Sequence, residues 1–219
     1  MNKDKGKLRP FAAKSSHFLR KLALTIFLPM TLTGPSMSED LSSFETHFNS
    51  IFSLKSIFEQ TNSDGSVSNG RIWLKKPGKI RFEYDNPGSL LVIANSGFLT
   101  VIDRISNTPP QRYFTKQTPL SFLVEENIIF SETNFKLFLK ENEKSANLAV
   151  LNADSRNLNN LVLHFKLDPI EISGWTLETS AGEKIKVDLI ESEFNAVFEE
   201  DLLFGVGSEI QKHMKKISN

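Results

Sequence analysis

The strict alternation of polar and apolar residues over residues 79–85 is the clearest pattern in the chain. One side of this segment is charged, and the other carries Ile80, Phe82 and Tyr84, which is the period of a half-buried β-strand. Residues 71–75 predict a second strand. Lys76-Pro77-Gly78 between them combines a fixed φ with a residue that tolerates positive φ. The pattern predicts a hairpin with one large apolar face that is either plain core or open to a ligand.

Two segments carry apolar residues at helical spacing. In residues 39–52 the stripe consists of Leu41, Phe44, Phe48, Ile51 and Phe52. Acidic residues lie near its N-terminal end, where the helix dipole favours them. A shorter helix is predicted over residues 119–124, with Thr118 as N-cap and Pro119 at the first position. Both helices need an apolar surface to lie on.

Most other segments predict strands, bounded by turn residues at the 8–12-residue spacing of sandwiches and barrels. The further strands are residues 54–62, 90–94, 98–103, 112–116, 135–139, 146–151, 160–167, 170–179 and 184–190. With the hairpin this gives a mainly β fold of about eleven antiparallel strands and two helices. Residues 206–219 predict a polar C-terminal tail with a weakly basic helix, which we interpret as a solvated end.

The N-terminal segment predicts a signal peptide over residues 1–36. Seven Lys and Arg residues crowd the start, an apolar run follows at residues 22–32, and Gly34-Pro35-Ser36 supplies small residues. The apolar run is too short for a permanent membrane anchor. The alternative is a buried N-terminal helix of a cytosolic protein. With cleavage near residues 36–38, the mature domain is expected to span residues 37–205.

Composition limits the function classes. The chain has no cysteine, which excludes disulfides and thiolate chemistry, and it has 18 Phe against two Tyr and two Trp, which favours apolar contact surface. Residues 1–36 contain seven of the 26 basic and one of the 26 acidic residues, so the mature chain keeps 19 basic and 25 acidic residues, a net charge of −6. A nucleic-acid partner is therefore not expected.

Catalytic motifs are missing from the sequence. His47, His164 and His213 lie far apart without metal-ligand spacing, and His164 is interpreted as an ordinary strand residue. The chain has no nucleophile elbow, phosphate loop or dinucleotide fingerprint. Carboxylates that only the fold brings together stay open as an alternative. We expect no enzyme, no metal and no cofactor.

The order of these segments resembles the LolA family of periplasmic outer-membrane lipoprotein carriers. The resemblance spans residues 41–204 and depends most on residues 70–87, in which Gly-x-aliphatic-Trp is followed by a basic pair, Pro, a short turn and an aromatic-rich strand. Two positions depart from the family pattern. Lys76 stands where members commonly have Arg, so a contact made there would come from a flexible ammonium. Asn95-Ser96-Gly97 replaces the usual Asp-Gly turn.

The resemblance implies an incomplete, strongly curved antiparallel half-barrel with helices over its concave face. It implies a monomeric periplasmic chaperone that binds lipoprotein acyl chains in an apolar cavity and carries them from the inner to the outer membrane. The implied partners are acylated lipoproteins, an inner-membrane lipoprotein-releasing ABC transporter and an outer-membrane lipoprotein acceptor. The alternatives are a half-barrel that binds free lipid or senses membrane stress, and a purely structural interaction domain.

The resemblance also implies two kinds of site residue. Lys76 is expected to act as a latch that holds the lid shut, the alternative being that Lys75 and Lys76 are solvated residues before a turn. The expected acyl-binding residues, for each of which plain core packing is the alternative, are Phe48, Phe52, Phe58, Ile80, Phe82, Tyr84, Leu91, Ile93, Leu99, Val101, Leu120 and Leu123.

Overall fold

The computed structural model describes residues 37–85, 87–152, 160–178, 182–199 and 203–218. The predicted signal peptide lies outside these residues. Helix α1 (Met37–Ser50) comes first, and short α2 (Leu120–Leu123) and C-terminal α3 (Val206–Ile217) follow later. The strands within the described part are β1 (Ser53–Thr61), β2 (Val67–Lys75), β3 (Lys79–Tyr84), β4 (Leu90–Asn95), β5 (Phe98–Asp103), β6 (Gln111–Phe114), β7 (Phe135–Glu141), β8 (Ser145–Asn152), β9 (Asn160–Lys166), β10 (Glu171–Glu178) and β11 (Lys184–Phe194).

All these strands form one antiparallel sheet with the order β6-β5-β4-β3-β2-β1-β11-β10-β9-β8-β7. Two meanders, β1 to β6 and β7 to β11, are joined by the pairing of β1 with β11. Strands β6 and β7 form the two opposite edges and do not pair with each other, so the sheet is open. The predicted mainly β, antiparallel fold of about eleven strands is confirmed.

The sheet is strongly curved. Strands β3 and β10 are separated by three strands, and four strand spacings of about 4.8 Å would place them roughly 19 Å apart in a flat sheet. The ring centroids of Phe82 on β3 and Trp175 on β10 are nevertheless only 6.1 Å apart. Their side chains meet because the sheet wraps around them, and this gives the half-barrel an inner and an outer face.

The predicted central hairpin is confirmed as β2 and β3. Leu74 pairs with Ile80 and Ile72 with Phe82, so both strands turn their apolar side chains to the inner face. Gly70 lies on the same face, where a Cβ would overlap the Glu83 carbonyl and would meet the Phe58 ring at 2.8 Å. Only glycine fits at this point, because the Glu83 carbonyl and the Phe58 ring occupy the place of a side chain.

Helix α1 packs across the inner face through its predicted apolar stripe. Phe44 and Phe48 are buried, and the Phe44 ring makes an edge contact with Phe165 of β9 at a centroid distance of 5.0 Å. Phe52 falls beyond the helix end and is 53% exposed. Thr118 is not the N-cap of α2 as predicted, because its hydroxyl donates to the Thr115 carbonyl instead of accepting from the helix.

The outer face carries α3, which differs from the expected solvated end. Val206 and Ile210 cover a small apolar cluster of Leu91, Ile93 and Ile102. Glu209 bonds to both Arg81 (3.2 Å) and Arg104 (3.4 Å), and Glu83 bridges the same two arginines. The imidazole of His213 is buried and bonds to the Thr108 carbonyl at 2.8 Å. The helix docks because each turn presents one apolar or ionic partner to the sheet.

Candidate functional site

The candidate site is the inner face of the half-barrel together with the segments that cover it. These are α1, α2 and residues 125–134, which we call the strap, and we refer to the three together as the lid. Phe58, Ile72 and Ile80 on the sheet have no exposed surface, and Phe122 of α2 and Phe130 of the strap belong to the same apolar cluster. The inner face is therefore closed against solvent by the lid.

The strap is tied to α1 by polar side chains one helical turn apart. The Asn49 amide donates to the Ile128 carbonyl at 2.8 Å and accepts the Ile128 N–H at 3.0 Å. The Glu45 carboxylate accepts the Phe130 N–H at 2.6 Å. Positions i and i+4 share one helix face, so α1 and the strap are held together along two turns.

Lys76 in the β2–β3 turn holds the C-terminal end of α1. Its ammonium donates to the Phe48 carbonyl at 2.7 Å and lies 3.8 Å from the centroid of the Phe48 ring. The residue is only 8% exposed, and burial lowers the pKa of Lys76 to about 8. A cation at this position is favoured by the negative end of the helix dipole and by the ring face, although its charge is costly to bury.

The same turn holds the second part of the lid. The Gly78 N–H donates to the carbonyl of Val124, the residue that ends α2, at 2.8 Å. Gly78 has a positive φ of 76°, which an L side chain rarely adopts. Lys76 and Gly78 of one turn thus fix the ends of both lid helices to the sheet.

His47 anchors the opposite side of α1 to β10. Its Nε2 accepts the Ile172 N–H at 3.2 Å, and its ring makes edge contacts with Phe165 and Phe194. Burial lowers the pKa of His47 below its ordinary value, against the opposing attraction of Glu171, and the nearby charge of Lys76 lowers it further. The hydrogen bond requires an unprotonated Nε2, which agrees with this direction.

Most of the predicted acyl-binding residues share the inner face. Phe48, Phe58, Ile80, Phe82, Leu99 and Leu123 belong to its apolar cluster, Tyr84 and Leu120 pack against that cluster, and half-buried Val101 lies on the same side of β5 as Leu99. The Tyr84 hydroxyl donates to Gln60 at 2.6 Å, and burial raises the pKa of Tyr84 to about 12. The acyl-binding role of this set stays a prediction.

Three predicted residues do not lie at this site. Leu91 pairs with Glu83 and Ile93 with Arg81, so both point to the outer face, where α3 covers them. Their placement beside Ile80 and Phe82 was wrong, because β4 is apolar on both sides and its pattern does not show which side is inner. Phe52 is exposed because α1 ends before it, and its ring lies 6.0 Å from the ammonium of Lys75 at the end of β2.

Sequence reasoning missed Glu45, His47 and Asn49, which flank the apolar stripe of α1 and bond to the strap and to β10. The only local signal is a row of polar residues beside the stripe. Among the described residues there is no group of three or more His, Asp or Glu side chains that could hold a metal ion. None of their helices has the length and apolar character needed to cross a membrane.

Comparison with known protein families gives one match that covers most of the chain. The model of the outer membrane lipoprotein carrier protein LolA matches residues 49–204. A curated relative, an uncharacterized protein of Rickettsia prowazekii (strain Madrid E), is 27% identical over 96 residues, which is 42% of this chain and 43% of the relative. The match thus spans less than half of that relative's length.

Solved structures show similar folds at low identity. The MucA/MucB complex of Pseudomonas aeruginosa matches with 16% identity and a TM-score of 0.43, over 76% of this chain and 59% of the other. The LolA superfamily protein NE2245 of Nitrosomonas europaea matches with 10% identity and a TM-score of 0.41, over 74% of this chain and 96% of the other.

Proposed function

Because the chain belongs to the LolA family of outer membrane lipoprotein carrier proteins, we propose that it carries lipoproteins through the periplasm with their acyl chains on the inner face of the half-barrel. The partners in this proposal are acylated lipoproteins, an ABC transporter of the inner membrane that releases them and an acceptor in the outer membrane. The predicted signal peptide is consistent with the location.

The observation that carries the proposal is a wide apolar face covered by a lid whose segments are held to the sheet by identifiable polar contacts. Lys76 and Gly78 hold the ends of the lid helices, and His47 holds the other flank of α1. An acyl chain that replaces the lid gains about 0.8 kcal/mol per buried CH₂ group. The lid competes for the same surface, so net affinity is reduced to a level that an acceptor can reverse.

Lys76 suits a lid that has to open. Its hydrogen bond and ring contact define where α1 lies, yet the lowered pKa means that the ammonium is disfavoured in the closed form. Opening returns the charge to water, which offsets part of the lost contacts. The structure supports a latch at Lys76 more than the alternative of a solvated residue before a turn, because the side chain is buried.

The two tryptophans allow a test of acyl binding on the inner face. Trp175 is 1% exposed on the inner face, whereas Trp73 lies on the outer face beside Arg71. Trp73→Phe leaves Trp175 as the only tryptophan, and Trp175→Phe is the matched variant that leaves Trp73. A brominated monoacylglycerol should quench the fluorescence of the first variant and leave that of the second unchanged. Equal quenching of both, or none, would contradict binding on the inner face.

A release assay tests the carrier role itself. Mature protein is incubated with energised inner-membrane vesicles that carry a triacylated lipoprotein, and the soluble fraction is assayed for a one-to-one complex. Phe82→Glu places a charge in the inner cluster and should abolish the complex, whereas Phe114→Glu at an exposed position should not. If lipoprotein stays in the vesicles while the protein still binds monoacylglycerol, the carrier role is wrong and a free-lipid ligand replaces it.

A further inference from the structure

A cleft of about 530 Å³ opens at the edge of the lid, between α2, the strap and the first residue of β7. Its volume falls within the range of roughly 300–1,000 Å³ that is typical of small-ligand pockets. Neither Lys76 nor any of the acyl-binding residues predicted above lines it. The inner face itself is covered, and this cleft is a place where a ligand can reach the apolar cluster from outside.

The floor of the cleft is part of the apolar cluster. Phe122 and Ile128 line the cleft and are buried members of that cluster, and Phe135 lines it while packing against the cluster. Ile129 on the strap also lines the cleft and is 49% exposed. A ligand in the cleft therefore lies on apolar side chains that continue directly into the inner face.

The rim of the cleft is polar and carries negative charge. Glu125 and Glu132 line it together with Asn127 and Asn134, and all four side chains are exposed. The cations Lys76 and Lys79 are not among the lining residues. A ligand with an apolar chain and a neutral head fits this arrangement, because the chain meets the floor and the head stays hydrated. A carboxylate head is repelled by the two glutamates.

We propose that this cleft is the first binding site of a single linear acyl chain whose head group carries no negative charge, such as an ester-linked chain. This inference rests on the proposed function and names the form of ligand that enters first. Such a site discriminates between an acyl chain that is linked through an ester or amide and a free fatty acid with the same tail.

The cleft is connected to the latch through one aromatic ring. The Phe122 ring on the floor contacts the Phe48 ring at a centroid distance of 5.4 Å and the Phe135 ring at 5.5 Å. Phe48 is also the residue whose carbonyl and ring hold the Lys76 ammonium. A chain that displaces Phe122 therefore disturbs the contact that keeps α1 in place, which couples binding in the cleft to opening of the lid.

The first test is photolabelling of the mature protein with a monoacylglycerol that carries a diazirine in mid-chain. At low occupancy, labelled peptides are expected from residues 121–135. Asn134→Trp fills the cleft from its exposed rim and should reduce labelling at least tenfold, whereas Glu143→Trp in the exposed β7–β8 turn should not. Unchanged urea midpoints show that both variants are folded.

The second test concerns the rim charges. Binding of the monoacylglycerol is compared with that of the fatty acid of the same chain length at low salt. The ratio of the affinity for the monoacylglycerol to that for the fatty acid should fall by about fivefold in the double variant Glu125→Gln, Glu132→Gln. Glu126→Gln removes a neighbouring exposed charge that does not line the cleft and should leave the preference unchanged.

The outcomes separate this inference from the proposed function. Labelling confined to inner-face peptides around Phe58 and Phe82, with Asn134→Trp labelled as strongly as the parent protein, overturns the cleft while acyl binding stands. Equal affinity for the two head groups in the parent protein overturns the rim selectivity. Retention of neither probe overturns the proposed function and the inference together.

Discussion

The burial of Lys76 predicts a pH dependence of stability that one substitution isolates. The pKa of its ammonium is lowered from 10.5 to about 8 in the folded protein. Between these values the unfolded chain binds more protons than the folded protein, so the free energy of unfolding rises with pH. Below pH 8 the full cost of the buried charge is present, and above pH 10.5 it is absent.

The magnitude follows from the two pKa values. At 1.36 kcal/mol per pKa unit, the difference between 10.5 and about 8 corresponds to a rise of about 3 kcal/mol in the contribution of Lys76. Lys76→Met has no titrating group at this position. The difference in free energy of unfolding between the parent protein and this variant should therefore rise by about 3 kcal/mol from pH 7.5 to pH 11.

Urea unfolding at half-unit pH intervals measures this difference, because other titrating groups are common to both proteins. Lys76→Arg serves as the control. A guanidinium stays charged over this range, so its difference from Lys76→Met should stay flat. A flat curve for the parent protein would refute the reasoning. A curve that falls with pH would mean that the Phe48 carbonyl and ring stabilise the ammonium more than burial disfavours it.

Three further predictions concern other contacts of the fold. Acidification below pH 6.5 should lower the free energy of unfolding, because the pKa of His47 is lowered in the folded protein and the unfolded chain therefore binds the proton first. In His47→Gln, urea unfolding should show a smaller decrease in this free energy between pH 7 and pH 5. Gly70→Ala should cost about 3 kcal/mol, because the new Cβ would overlap the backbone carbonyl of Glu83 and the ring of Phe58. Gly207→Ala in α3, where nothing lies within 4 Å, should gain about 0.5–1 kcal/mol, and equal effects of the two substitutions on thermal unfolding would contradict this. Glu209→Gln should lower the free energy of unfolding by about 1–3 kcal/mol, because Arg81 and Arg104 each lose a charged partner. The control Glu199→Gln, at an exposed site, should change it by less than about 0.5 kcal/mol in the same urea experiment.

The strands and the central hairpin could be predicted because their signals are local. Alternation from Lys79 to Tyr84 marks an inner and an outer side, and Pro77 and Gly78 mark the turn. Strand β4 has no such signal, since Leu90 to Ala94 is apolar throughout. The side that faces inward depends on the register with β3, in which Leu91 pairs with Glu83. That register depends on the preceding turn and is not visible in β4 itself.

The contacts of the lid could be predicted only in part. The apolar stripe of α1 indicates that the helix covers something, but the partners of Glu45, His47 and Asn49 lie on segments far away in sequence. Helix α3 was missed as a docked element because it contributes only Val206 and Ile210 to its apolar contact. The patch that it covers is assembled from β4 and β5, and it exists only after those strands have paired.

The strand order limits how far each part of the lid can travel. Strands β6 and β7 are at opposite edges of the open sheet, so the chain between them, which includes α2 and the strap, has to span the mouth of the half-barrel. Because both of its ends continue into strands of the sheet, this segment can move away from the sheet only as far as its length allows. Helix α1 leads directly into β1 at its C-terminal end. In the proposed carrier, this connectivity lets α1 move about its connection to β1, whereas the strap acts as a tether of fixed length that limits how far the lid can rise without any strand leaving the sheet.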